Sequence, residues 1–380
     1  MEIKNAKVYT EKGIFEERNV CTDGGRIAGV STDGKIIDGA GCYLIPGLID
    51  IHFHGCRGYD FCDGSTEAIE AMACYEASRG VTAMVPATMT LGKEKLFHIC
   101  RTAAAYSSEK GAALCGINLE GPFLSPQKLG AMNGNYVRKP DVELFRELQE
   151  ASGQMIRLLA IAPELPGAEK LIRELKEEVV LSVAHTAADY GQAMWAFQNG
   201  VHHVTHLYNA MSGLNHRAPG VVGAAADAPL AEVELICDGI HVHPAVVRQT
   251  FKMFGDDRII LISDSMEATG MPDGDYMLGG QKVVRKGRRA TLADGTIAGS
   301  ATDLMDCLRT AVLDVGIPLE SAVKCATANP AKSVGIFDRY GSITIGKVAD
   351  LLLLREEDLR LEKVILRGKE NTQAVCSGIR

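Results

Sequence analysis

The chain has 380 residues, 46% of them hydrophobic, and a formal charge of -8. That length can build one large domain plus a small one. The acidic balance argues against a nucleic-acid surface or a general polyanion binder, and leaves room for a small anionic substrate held by one or two cations. Eleven cysteines are scattered without Cys-x-x-Cys pairs, residues 1–10 hold no apolar signal segment, and no apolar run is long enough to span a bilayer. The expectation is a reduced, cytoplasmic protein with buried thiols and no membrane partner.

Residues 3–10, 13–20, 26–31 and 35–38 alternate as short strands, with Asp23-Gly24-Gly25 and Asp33-Gly34 as turns. The far end is alike, with strands predicted at 342–345, 349–354 and 361–366. The two ends together predict a small discontinuous β-sandwich domain of residues 1–46 and 338–380.

Between them, residues 47–337 repeat apolar strand, loop and amphipathic helix. Strands are predicted at 48–54, 82–88, 116–120, 157–162, 179–185, 203–207, 233–238 and 259–264. Helices at 65–79, 93–107, 140–151, 167–175 and 188–199 fall between several of them. This alternation predicts an α/β fold, a closed (β/α)8 TIM-like barrel. A glycine-rich stretch at 266–298 reads as a β-hairpin insertion (near 270–298) beside the barrel mouth, and helices at 303–315 and 319–328 complete the barrel.

Active sites in such barrels lie at the C-terminal ends of the strands. His52 and His54 end the first predicted strand, Glu120 the third, His185 the fifth, His206 the sixth and Asp264 the eighth. In Leu-Ile-Asp-Ile-His-Phe-His-Gly, residues Asp50, His52 and His54 share one face of the strand. Alone, that pair of histidines reads equally as two partly buried polar residues. With the other strand ends it reads as metal chemistry, suited to a divalent cation such as zinc or iron(II). Glu120, His185 and His206 can hold one metal with a position open for water, whose pKa then falls to about 7. His52 and His54, with Asp264 nearby, can hold a second. Asp264 in Leu-Ile-Ser-Asp-Ser reads as a proton carrier, or else as a simple ligand or turn cap. Cys56 and Cys62 read as ordinary small residues, His202 and His203 as packing at a strand base, and His98 carries no signal. His216, beside Arg217, is a weaker candidate for substrate contact.

The Pro-Gly-Leu-Ile-Asp-x-His-x-His strand, the dispersed ligands and the terminal β domain resemble the amidohydrolase superfamily. Within it, Leu-Glu-Gly-Pro-Phe, Thr-His-Leu-Tyr-Asn-Ala-Met, Arg-Ala-Pro-Gly, Asp-Gly-Ile-His-Val and Ala-Thr-Ala-Asn-Pro-Ala resemble the N-acetylglucosamine-6-phosphate deacetylase family, over essentially the whole chain. The resemblance implies hydrolysis of the N-acetyl group of a 6-phosphorylated amino sugar by metal-bound hydroxide. Glu120, His185 and His206 would hold the catalytic metal, and Asp264 would act as general base and then acid. It places the substrate against Ala131, Met132, Asn209, Ala210, Asp238, Gly239, Ile240, His241, Ile297, Ala298 and Gly299. Arg217 would be lent across a homodimer to the phosphate, a role that a guanidinium suits.

Some members lack the His-x-His pair and use one metal; this chain keeps it, so one or two metals per subunit stay open. Met132 stands where the family often has histidine. Galactosamine 6-phosphate chemistry is an alternative, as is a cyclic amidase. The latter class bridges two metals with a carboxylated lysine on the fourth strand, and residues 157–164 contain no lysine.

Overall fold

The computed structural model describes residues 1–372. Its centre is a series of parallel strands, β1 (Leu48–Asp50), β2 (Val81–Met84), β3 (Ile117–Leu119) and β4 (Ile156–Ile161). The series continues with β5 (Val180–Val183), β6 (His203–Val204), β7 (Glu232–Ile236) and β8 (Ile259–Ile262). They are near-continuous apolar runs, as strands covered on both faces must be. Strands β1 and β2 pair with Ala113–Leu114 in one parallel sheet, and β3 to β8 pair in chain order in another. Backbone bonds to residues just past the ends of β1 and β2 link the two sheets. Asn118 N–H donates to the Pro86 carbonyl at 2.9 Å, and Asp264 N–H donates to the His52 carbonyl, also at 2.9 Å.

The helices between strands are close to those the sequence predicts, trimmed by their caps. Thr66–Ser78 starts after Ser65, whose hydroxyl accepts from Ala68 N–H, and Val142–Ala151 after Asp141, whose carboxylate accepts from Leu144 N–H. Tyr190–Gln198 starts at a capping box of Asp189 and Gln192. Two helices were not anticipated. Gly220–Asp227 is apolar almost all round, so it shows no amphipathic period, and Pro244–Phe254 opens on a proline. The predicted helix 319–328 breaks at Thr327 into Leu319–Ala326 and Ala328–Ser333.

The two ends of the chain meet around their own apolar cluster, which includes Met1, Ile3, Val8, Leu44, Ile343, Leu351, Leu353 and Ile365. One sheet runs Phe15–Glu17, Lys7–Tyr9, Cys42–Pro46, Leu351–Arg355, Leu361–Leu366, Lys369–Glu370. A second runs Arg26–Ala28, Val20–Asp23, Glu2–Lys4, Ile36–Asp38. The single strand predicted at 3–10 is therefore two, divided at Asn5, whose φ of 61° turns the chain from one sheet into the other. No strand forms at 342–345, where the Ser342 and Thr344 hydroxyls bond each other at 2.8 Å. Residues 373–380 of the predicted β unit lie outside the described residues.

The insertion has three antiparallel strands, Gly274–Leu278, Gln281–Lys286 and Arg289–Thr291, one more than a hairpin. Its buried face, with Leu278, Val283 and Ala290, joins Met89, Met132 and Met266 in one cluster over the strand ends. Among the described residues no helix is long and apolar enough to cross a membrane.

Candidate active site

The predicted ligands do not lie in strands, as the sequence suggested, but just past their ends. Strands β5, β6 and β8 stop at Val183, Val204 and Ile262 because His185, His206 and Asp264 take left-handed φ values of 41°, 28° and 49°. That region is unfavourable for side chains with a Cβ, and such backbone persists where the surroundings enforce it. The kinks bring His185 and His206 to Glu120, which follows β3, and Asp264 to His52 and His54.

Glu120 is fully buried and divides its two oxygens. Its Oε1 lies 3.1 Å from His185 Nε2 and 3.0 Å from His206 Nε2, which are 3.2 Å from each other. Its Oε2 lies 3.3 Å from His52 Nε2 and 3.2 Å from His54 Nε2. Asp264 Oδ1 completes the second group, 3.6 Å from His52 Nε2 and 3.3 Å from His54 Nε2. Donors about 2.0–2.2 Å from one tetrahedral cation lie roughly 3.3–3.6 Å apart, so both groups are near the right size. The donor chemistry fits too: imidazole nitrogens with carboxylate oxygens are a borderline-metal set. His52 Nε2 and Glu120 Oε2 are buried and make no hydrogen bond, as metal ligands would be placed. His52 belongs to both candidate cation groups, with Glu120 and His206 in one and with His54 and Asp264 in the other.

The electrostatics agree with a site built for positive charge. Burial works to lower the pKa of His52 and His54, but carboxylates overcome it. Glu234 and Glu120 raise His52, while Asp264 and Glu120 push His54 up to about 10. Burial in turn opposes ionisation of Glu120 and Asp264, yet the surrounding imidazoles hold both below the usual carboxylate range. Asp50, fully buried beneath this centre, is pushed up to about 7 by burial.

A cavity of about 270 Å³ opens above these groups. His54, Glu120, His185, His206 and Asp264 line its floor, and Asn209, Ala210, His241, Ile297 and Gly299 line one side. Ala131, Met132, Met89 and Leu278 are also in its wall. The Met132 sulfur accepts from Thr90 N–H at 3.4 Å and packs in the apolar cluster under the insertion. His241 Nδ1 lies 2.7 Å from Asp238 Oδ2; burial works to lower the pKa of that imidazole, but Asp238 raises it. Asp238 therefore stands behind His241 rather than in the cavity wall, and Ala298 is buried in the apolar cluster. Gly239 is exposed and Ile240 half-buried, both outside that wall. Arg217 and His216 lie on an exposed loop, also outside the wall. His202 is exposed rather than packed, whereas His203 is buried with its Nδ1 2.9 Å from the Ser182 hydroxyl. Cys56 is buried and Cys62 half-buried; neither joins a candidate cation group.

One residue at this centre escaped the sequence reading. Glu234, on β7, is fully buried and its Oε2 lies 2.8 Å from His52 Nδ1. Glu120 and Asp264 stood out because they close their predicted strands, whereas Glu234 lies within the predicted strand 233–238 and so lacked that signal.

Residues 43–371 match the Amidohydrolase family. The chain belongs to that family. This amidohydrolase is 38% identical over 379 residues to an N-acetylglucosamine-6-phosphate deacetylase of Bacillus subtilis (strain 168), covering 96% of each chain. It is 32% identical over 372 residues to an N-acetylgalactosamine-6-phosphate deacetylase of Escherichia coli O157:H7, covering 97% of this chain and 98% of the other. It is also similar to the crystal structure of N-acetylglucosamine-6-phosphate deacetylase from Pasteurella multocida. There the TM-score is 0.91 at 28% identity, over 97% of this chain and 98% of that one. Amidohydrolases are metal-dependent, and the histidine and carboxylate groups described above are candidates for that role.

Proposed function

We propose that this amidohydrolase removes the N-acetyl group of N-acetylglucosamine 6-phosphate, giving glucosamine 6-phosphate and acetate. The observation that carries this reading is Glu120, set between two pairs of imidazoles with Asp264 beside it, at the floor of a cavity of about 270 Å³. Whole-length similarity to deacetylases of 6-phosphorylated amino sugars supports the substrate class. The two parallel sheets are best read as one closed (β/α)8 barrel, supported by the backbone bonds that link their strand ends. Residues 1–46 and 338–380 are then a small β-sandwich domain with its own core, which the separate apolar cluster supports.

In this reading Glu120, His185 and His206 would hold one divalent transition metal, zinc or iron. His52 and His54, with Asp264, are placed for a second. A cation there supplies Lewis acidity toward the amide carbonyl and lowers the pKa of water. Asp264 takes a proton from the attacking water and delivers it to the amide nitrogen as the C–N bond breaks, so acetate and a free amine leave. The imidazoles around it keep Asp264 ionised despite burial, as a base must be. His241, oriented by Asp238, and Asn209 face the sugar, with Ala131, Met132, Ala210, Ile297 and Gly299 shaping its surroundings. No lysine or arginine lines the described cavity, so the phosphate needs a cation from elsewhere. Arg217, on its exposed loop, would supply it to the neighbouring subunit of a homodimer. The free cysteines suit a reduced, cytoplasmic setting.

The test is acetate release from both 6-phosphorylated epimers by metal-loaded protein. Faster turnover of the gluco epimer is expected. A galacto preference would move the assignment to the epimer named for the Escherichia coli relative, and turnover of neither would overturn it.

A further inference from the structure

Four imidazoles surround Glu120, and their other ring nitrogens are held differently. His185 Nδ1 lies 2.9 Å from the Lys128 carbonyl. His54 Nδ1 and His206 Nδ1 are buried without a hydrogen-bond partner. His52 Nδ1 faces the Glu234 carboxylate at 2.8 Å, with both side chains fully buried. The same carboxylate oxygen accepts from the backbone N–H of His206 at 3.1 Å. A single buried oxygen thus touches a member of each imidazole pair.

A neutral imidazole has one donor and one acceptor nitrogen, and an ionised carboxylate only accepts. When His52 is neutral, as a metal ligand must be, facing Glu234 requires its hydrogen on Nδ1, which turns the Nε2 lone pair toward Glu120 Oε2 and Asp264 Oδ1. His52 forms one candidate cation group with His54 and Asp264. The environment offers no packing reason for a carboxylate. The neighbours of Glu234 on β7 are Val233 and Leu235, both fully buried, and a charge in that position is costly unless paired.

We infer that Glu234 is a positioning residue: by holding the His52 ring and its tautomer, it sets the chain's ability to hold a second divalent cation between His52, His54 and Asp264. This rests on the reading of the strand-end histidines as metal ligands. Outer-sphere partners of this kind typically change metal affinity by about 10–100-fold.

The test is titration of the metal-free full chain with Co(II). Equivalents bound are read by equilibrium dialysis and the visible spectrum, and thermal unfolding of each metal-free form serves as the control. Wild type is expected to bind two equivalents. Glu234→Gln and Glu234→Ala should keep the first and weaken the second by about 10–100-fold, with the metal-free melting point of the Gln variant close to wild type. In a His52→Asn background the Glu234→Gln change should add nothing, because its effect passes through His52. Two equivalents at wild-type affinity in both Glu234 variants would overturn the inference while leaving the metal reading intact. So would an equal loss of affinity with or without His52, or an equal weakening of both equivalents. Failure of wild type to bind any Co(II) would overturn both.

Discussion

Asp264 Oδ1 lies 3.3 Å from His54 Nε2, although 210 residues separate the two in the chain. The pairing exists because Asp264 N–H bonds to the His52 carbonyl and Ser265 accepts from His54 N–H, which fixes the end of β8 against the end of β1. A carboxylate held there can accept a proton at one side of the centre without leaving it. Replacing Asp264 by asparagine keeps the shape and removes the proposed proton acceptor. We expect Asp264→Asn to lower kcat by about a hundred- to ten-thousand-fold while binding at least one equivalent of metal. Near-normal turnover in a stopped acetate-release assay would remove Asp264 from the proton path.

The exposed loop that carries Arg217 predicts a specific kinetic split. Arg217→Ala should raise KM for the 6-phosphorylated sugar at least tenfold, the order of one lost charge-assisted contact, and change turnover of the unphosphorylated sugar little. Mixed dimers of Arg217→Ala and Asp264→Asn chains should recover turnover at low substrate concentration that neither variant shows alone. Absence of that recovery, with mixed dimers verified by mass, would place the phosphate on another cation.

Removing metal should be visible without any substrate. A ligand that binds only the folded chain stabilises it by about 4 kcal/mol at a thousandfold excess over Kd. Chelation followed by desalting should therefore lower Tm and abolish acetate release, and added zinc or iron(II) should restore both. Unchanged Tm and activity after exhaustive chelation, with no metal left by elemental analysis, would be the contrary result.

Asp350 predicts a pH effect away from the active site. Burial pushes its carboxyl up to about 6 against the hydrogen bond from Arg367 N–H at 2.7 Å. The folded pKa exceeds the unfolded value, so the folded state binds more protons between about pH 4 and 6. Stability from this group is full below that window and is lost as pH rises through it, by up to about 3 kcal/mol. In Asp350→Asn the urea-unfolding free energy should fall less from pH 4 to pH 7 than in wild type. Parallel curves for the two proteins would show that Asp350 titrates alike folded and unfolded.

Much of the centre was legible from local pattern. Strand side chains alternate, so the spacing of Asp50, His52 and His54 placed them on one face, and a polar residue closing an apolar run singled out Glu120, His185, His206 and Asp264. The predicted helix starts at 65 and 188 fall within two residues of the observed Thr66 and Tyr190, because helix ends are set by caps within four residues. The split of the strand at Asn5 was not, because which sheet each half joins depends on partners far along the chain, Val20 and Ile37 for one half and Tyr43 and Leu44 for the other.

By itself the sequence determined which residue types end the strands, and so that a metal-type donor set would gather at one end of a parallel sheet. Only the tertiary structure decided how those donors divide. The two oxygens of Glu120 face different imidazole pairs, and Glu234 rather than a backbone carbonyl orients His52. Alternation along a strand reports the face a side chain takes, a property of neighbours one or two residues away. Which atom meets which is set by register between strands and by left-handed turns after them, and those depend on contacts across the whole chain.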